Sequence, residues 1–307
     1  MFSLRTNGGA FRDIPVTLIT NSEPLSAAQK GFLENHFSPI DFRTGPRLGA
    51  IRHTSKLNVF YSIDPSSYDV LLYMDCDTVV RRPLDRMVDR IRSGEAHFVC
   101  RRGGRTDRNR FPDFDALVRR FCGPGPKKKV LHGASEEWPM FNSGVFLGTA
   151  EAIRTIRKDA IEFTYRLFNE WQRIDVIEKL PPELKAVIEA EYPSKVRTQQ
   201  DVLDDWPIEQ GALALACIKA GINVRYLEEA FNSWGGDEDF HVLHCFKSLY
   251  KFRRGAMFSA DAEPWIAEYL ESDIPGKRFL GGIVRKYRHT FSGDRSRESR
   301  EPQSILS

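Results

Sequence analysis

The sequence predicts an α/β fold: one mixed, mostly parallel sheet flanked by helices. Three observations carry this reading. Short runs rich in β-branched and aromatic residues alternate with segments of helical periodicity. Two of these runs, Val70-Leu71-Leu72-Tyr73-Met74 and Ala96 to Cys100, are apolar over most of their length, as expected of strands covered on both faces. The chain has 307 residues, 41% hydrophobic and 28% charged, enough to bury one or two cores without staples.

Taken in order, Val16-Thr17-Leu18-Ile19-Thr20, bounded by Pro15 and Asn21, reads as a strand. Ser26 to Phe37 reads as a short helix, and Lys56 to Ile63 as a helix that stops at Asp64-Pro65. The run 70–74 is the first buried strand. Ala96 to Cys100 repeats its pattern, and Phe141 to Gly148 is another strand candidate. Ala150 to Trp171 has helical periodicity, and Glu209 to Ala220 is an alanine-rich helix ended by Gly221. Asn223 to Leu227 and His241 to Phe246 are the last strands. The stretches 101–139 and 172–206, rich in Pro, Gly and charge, read as insertions of the kind that form binding lids.

Charge divides the chain in two. From Gly276 onward eight basic residues face three acidic ones, a surplus of +5. The whole chain carries only +3, so the body is slightly acidic, and a nucleic-acid partner is not expected. Residues 1–275 read as one catalytic domain and 276–307 as a basic, flexible tail. Its Phe279, Leu280, Ile283, Val284, Tyr287 and Phe291, interleaved with Lys and Arg, suit contact with an anionic membrane surface. Arg101, Arg102, Arg105, Arg108 and Arg110 form a second basic cluster, read as solvated surface. Five scattered cysteines without a CxxC pair argue against a zinc site and for a reducing, cytoplasmic setting.

The chemical signal follows strand 70–74, which runs straight into Asp75-Cys76-Asp77-Thr78. Paired carboxylates at the carboxyl end of a buried strand sit where open α/β sheets bind ligands. Hard oxygen donors there suit Mn²⁺ or Mg²⁺ bridging to phosphate. The plainer alternative is a pair of turn-forming aspartates. Two chemistries fit. One is a nucleotide-sugar transferase with a DxD metal site. The other is a phosphohydrolase of the haloacid-dehalogenase type, with Asp75 as nucleophile, Asp77 as acid and Asp204-Asp205 as its late acidic pair.

The wider context resembles the family 8 retaining glycosyltransferases, which include glycogenin and bacterial lipopolysaccharide galactosyltransferases. The resemblance rests on Ser55-Lys56-Leu57-Asn58-Val59-Phe60, Tyr68 to Val80, Phe141-Asn142-Ser143-Gly144-Val145-Phe146, Glu209-Gln210-Gly211 and His244, in that order along residues 50–250. It implies a GT-A-type fold and a hexosyltransferase using a nucleotide-diphosphate sugar, UDP-linked by expectation. The acceptor would be a carbohydrate, lipid or protein. By the same resemblance Asp75, Asp77 and His244 would hold the metal, and Asp75 would also touch the ribose. Lys56 would lie near the donor, and Asn142 would bond the transferred sugar. Gln210 would lie beneath the anomeric carbon, and Glu209, in place of the usual Asp, would hold sugar hydroxyls. His241, three residues before His244 on a strand, would face the other way. Trp138 and Trp234 are expected to pack rather than stack on a sugar.

Two departures are visible. The family follows its late His with Gly and Lys-Pro-Trp, whereas His244 is followed by Cys-Phe-Lys-Ser-Leu-Tyr-Lys, leaving Lys247 or Lys251 to meet the pyrophosphate. The family's first strand also has no counterpart, because residues 2–9 read as the end of the helix that follows it. Either the chain starts late or the donor site is altered, and a non-catalytic sugar- or partner-binding module is the third expectation.

Overall fold

The computed structural model describes residues 1–21, 23–45, 56–57, 59–103, 114–125, 128–132, 134–172, 206–245 and 263–292. The chain opens with helix α1 (Phe2–Asn7), strand β1 (Val16–Asn21), α2 (Ala27–Phe37), β2 (Ile40–Gly45) and the single turn α3 (Val59–Ser62). Then come β3 (Val70–Met74), β4 (Thr78–Val80), α4 (Asp85–Arg92) and β5 (Phe98–Arg102). Next are α5 (Phe114–Cys122), the hairpin β6 (Val130–His132) and β7 (Ser135–Glu137), β8 (Phe141–Thr149) and α6 (Ala150–Gln172). The last elements are α7 (Trp206–Lys219), β9 (Val224–Leu227), β10 (Val242–His244), α8 (Glu263–Leu270) and α9 (Pro275–Ser292).

The main sheet has strand order β3-β8-β5-β9. β8 is antiparallel to both β3 and β5, and only β5 and β9 pair in parallel. The sheet is therefore mixed, and the expected predominance of parallel pairing is corrected. An apolar run reports that both faces are covered, not which way the neighbouring strand points. Covered faces are what the side chains show. Leu71, Phe98, Cys100 and Phe146 enter one core beneath α6 and α7, with Ile153, Phe163, Ala212 and Ala216. Val99, Val145 and Leu147 alternate with them into a second core with Leu84, Met87 and Phe231.

Local sequence explains the helix ends. Ser26 and Gln29 close a reciprocal capping box on α2. Gly221, at φ +65°, lets the chain leave α7, with Ile222 N–H donating back to the Cys217 carbonyl. β1 and β2 form a separate parallel pair, joined to α1 by Arg5. The Arg5 guanidinium donates to the carbonyls of Arg12, Ile14, Phe37 and Pro39 at 2.6–2.9 Å. Residues 2–7 are helical, as their sequence suggested, and the first strand is β1.

The segment expected to be a flexible tail is, as far as Ser292, helix α9. Leu280 and Val284 are buried in a third core with Phe240, Leu243, Cys245, Ile266 and Tyr269, and Phe279 packs against it. The basic count concealed an amphipathic stripe whose apolar side is covered by protein. Residues 293–307 lie outside the described residues. Among those described, no helix is long and apolar enough to cross a membrane. The stretch 101–139 contains β5's last two residues, α5 and the β6–β7 hairpin. Arg101 and Arg102 are not solvated surface: Arg102 forms a two-pronged pair with Glu137 at 2.6 and 2.7 Å. Arg105, Arg108 and Arg110 lie outside the described residues.

Candidate metal centre

β3 delivers Asp75 at its end, and the chain turns at once into β4. The turn is held by its own backbone. Asp75 N–H donates to the Gly144 carbonyl on β8 at 2.8 Å. The N–H and Oγ1 of Thr78 donate to the Asp75 carbonyl at 3.2 and 2.7 Å. β10 lies antiparallel on β4 with His244 opposite Thr78, and Cys245 N–H donates to the Asp77 carbonyl at 2.8 Å. That pairing carries the imidazole to the turn. His244 Nε2 is 3.3 Å from Asp77 Oδ1 and 3.8 Å from Asp75 Oδ2.

One ligand atom from each of Asp75, Asp77 and His244 lies within 4.8 Å of the others. Two carboxylates beside one imidazole form an excess of negative charge that a divalent cation would neutralise. The oxygen–oxygen–nitrogen donor set fits Mn²⁺, and fits Mg²⁺ less well because of the imidazole. Gly144 makes room for this approach. A Cβ there would lie 2.5 Å from His244 Cε1 and 2.8 Å from Nδ1, closer than side-chain contacts allow. His241 faces elsewhere, stacked on Phe231, with Nδ1 2.8 Å from the Pro83 carbonyl oxygen.

A second group adjoins the cluster. Lys56 Nζ lies 2.8 Å from Ser143 Oγ, 3.1 Å from Glu209 Oε2 and 3.8 Å from Asp75 Oδ2. Ser143 Oγ donates to Glu209 Oε2 at 3.2 Å. Glu209 enters from the first turn of α7 and is fully buried. Burial pushes its carboxyl up to about 7, against the pull of Lys56 and Ser143. Burial works to lower the Lys56 ammonium, but Glu209 and Asp75 outweigh it and hold the group above its ordinary value. Burial likewise works to raise Asp77, yet the hydrogen bond and charge of His244 keep it below the usual carboxylate range. Burial, and then the charge of Asp75, push the Tyr73 phenol well above its ordinary value. It stays protonated and donates to Asp75 Oδ1 at 2.6 Å.

Among the described residues, Glu209 Oε1 and Gln210 Oε1 are buried without a hydrogen-bond partner. A buried acceptor left unmet costs about 1–3 kcal/mol. Asn142 is tied in from the opposite side. Its Oδ1 accepts from Gly144 N–H at 2.9 Å and from Asn232 Nδ2 at 2.9 Å. Asn232 Oδ1 in turn lies 2.9 Å from His244 Nδ1.

The fold thus gathers Lys56, Asp75, Asp77, Asn142, Glu209 and His244 into one connected group, with Gln210 beside Glu209. Lys247, Lys251 and the Asp204-Asp205 pair lie outside the described residues. Sequence reasoning assigned no role to Asn232, Tyr73 or Ser143, and nothing in the pattern around Asn232 marks it. Trp138 packs as expected, with its Nε1–H donating to Asp115. Trp234 does not: it is 45% exposed, with the Arg101 guanidinium 4.8 Å above its ring. The same guanidinium donates to the Asn232 carbonyl at 2.6 Å. No protein-family model matches the chain, and no curated protein matches it.

Proposed function

We propose that this chain is a metal-dependent glycosyltransferase of the GT-A type that moves a sugar from a nucleotide-diphosphate donor with retained anomeric configuration. One observation carries the reading: the Asp75–Asp77–His244 cluster adjoins, through Lys56, a fully buried Glu209, and among the described residues the Oε1 atoms of Glu209 and of its chain neighbour Gln210 lack donors. A diphosphate and a sugar hydroxyl face would match these two halves in one molecule. The resemblance to family 8 transferases adds the same residues in the same order.

Asp75, Asp77 and His244 would hold Mn²⁺, which when bound neutralises a departing diphosphate. Lys56 keeps Glu209 Oε2 engaged, so Oε1 is the oxygen left for a sugar hydroxyl. Both donors on Asn142 Oδ1 come from the protein, which leaves its Nδ2 amide end for the ligand. Gln210 is neutral and cannot act as the carboxylate base that inversion requires. Its amide oxygen suits positive charge developing on the sugar. The phosphohydrolase reading needs Asp77 as a proton donor, and the environment that holds Asp77 below the usual carboxylate range opposes that role.

The test is a screen of nucleotide sugars for a rise in melting temperature with Mn²⁺, since binding stabilises by RT ln(1 + [L]/Kd). Donor turnover with Mn²⁺ and with EDTA follows, with proton NMR of the first product. Turnover that survives EDTA, or a β-linked product from an α-linked donor, would remove this reading. Hydrolysis of simple phosphate esters would favour the phosphohydrolase.

A further inference from the structure

The geometry points to Asn232 as a positioning residue that fixes both the tautomer of His244 and the direction of the Asn142 amide, joining the metal side of the site to the sugar side. Treating His244 as a metal ligand rests on the function proposed above. The hydrogen-bond chain itself does not.

The chain of reasoning starts at a group whose polarity is not in question. Gly144 N–H is a backbone donor, and it points at the Asn142 side chain at 2.9 Å. The Asn142 atom receiving it must be oxygen. That oxygen is also 2.9 Å from the Asn232 side chain, so the Asn232 atom facing it must be its NH₂. The other end of Asn232 is then its carbonyl oxygen, 2.9 Å from His244 Nδ1. An oxygen there requires Nδ1 to carry the proton. In the neutral imidazole the bare nitrogen is therefore Nε2, the one that faces Asp75 and Asp77, whereas the hydrogen bond to Asp77 belongs to the imidazolium, in which both nitrogens carry a proton. One backbone amide of β8 sets the orientation of three side chains in succession.

Burial makes the chain rigid. Asn232 is completely buried and His244 nearly so, so reversing Asn232 would set two donors against each other and two acceptors against each other, without water to relieve them. The Asn232 backbone is also pinned, because Arg101 donates to its carbonyl and Ser233 N–H donates to the Val242 carbonyl on β10. Outer partners of this kind orient a ligating imidazole, and their loss typically weakens metal binding about 10- to 100-fold. Asn232 differs from a simple orienting carboxylate in that its NH₂ is used too. A carboxylate could hold His244 but could not donate to Asn142.

Two kinds of measurement, one of tautomer and one of binding, test this on the full-length chain. The first is ¹⁵N NMR of histidine-labelled, metal-free protein in mildly alkaline buffer, with His244→Gln for assignment. The expected result is His244 as the Nδ1–H tautomer, and an Nε2–H tautomer overturns the proposal without any Asn232 variant. The second is Mn²⁺ titration by electron paramagnetic resonance, and titration of nucleotide sugar against nucleoside diphosphate by calorimetry. Asn232→Ala should weaken Mn²⁺ about 10- to 100-fold and mix the tautomers. Asn232→Asp should keep the tautomer and Mn²⁺ affinity within about twofold. It should, however, lose the preference for the sugar-bearing nucleotide, because Asn142 is no longer held. Asn232→Ala with wild-type Mn²⁺ affinity, or Asn232→Asp with unchanged sugar preference, contradicts it. If the wild type binds no Mn²⁺, the transferase reading fails, while the tautomer result still decides the role of Asn232.

Discussion

The Asp75–Asp77–His244 cluster and the Lys56–Ser143–Glu209 group touch each other, yet they are built on opposite rules. The first is unbalanced in charge and partly open: Asp77's side chain is 45% exposed. The second is a balanced ion pair, and Glu209 is fully enclosed. An unbalanced open cluster has room for a partner from outside, and the proposed cation would supply it. A balanced closed pair is complete in itself and supplies shape. Within that pair, Glu209 Oε1 is the one buried oxygen that no described residue meets.

The comparison is broken most severely by removing a ligand from the open cluster. Asp77→Asn should abolish Mn²⁺-dependent binding of nucleoside diphosphate while leaving the melting temperature near wild type, because the site is not part of a core. Calorimetric titration checks this, and unimpaired binding would falsify the ligand assignment.

Breaking the closed pair should have the reverse effect. Lys56→Met leaves Glu209 without its cation and should cost about 3–5 kcal/mol of stability at pH values where Glu209 is ionised. Chemical denaturation measures it, and a loss below about 1 kcal/mol would mean that the pair contributes little.

The pair also predicts a pH dependence. Burial raises the Glu209 carboxyl from 4.5 to about 7, so the folded state holds this proton more tightly than the unfolded chain. Stability should therefore fall as pH rises from about 4.5 to 7, by roughly 3 kcal/mol from this group, and level off above. Subtracting the Glu209→Gln profile from wild type isolates the slope. A difference that is flat across that window contradicts the assignment.

Gly144→Ala sharpens the comparison by acting on one side only. The added methyl pushes on His244 rather than on Lys56. Overpacking costs about 1–3 kcal/mol, and Mn²⁺ affinity should drop further than stability implies. The smallest effect is expected at a surface pair for reference. Arg90, partly exposed, lies 3.1 Å from the exposed Glu228, and Arg90→Ala should change stability by about 0.5 kcal/mol or less.

How much of this was legible in the sequence depends on range. Elements written in local pattern were readable: β3 falls on 70–74 as expected, α6 runs from Ala150, and Gly221 ends α7. The direction of β8 was not, because pairing is settled by partners distant in the chain and an apolar strand reads the same either way. α9 was misread because charge dominated its composition, while the stripe through Leu280 and Val284 needs a core to give it meaning. In the site, Asp75 and Asp77 announce themselves as neighbours. His244 carried weight only through resemblance. Asn232 was invisible, since its importance lies in what its two ends touch.

The pairing of β10 with β4 has a consequence in time. The turn bearing Asp75 and Asp77 and the strand bearing His244 are separated by more than half of the chain. During synthesis on the ribosome, the first part of the cluster emerges long before the last. Until Leu243 settles opposite Val79, a nascent chain has two aspartates at the end of a strand and no imidazole to join them. The ability to gather the three ligands is thus a property only of a chain whose late strand has arrived.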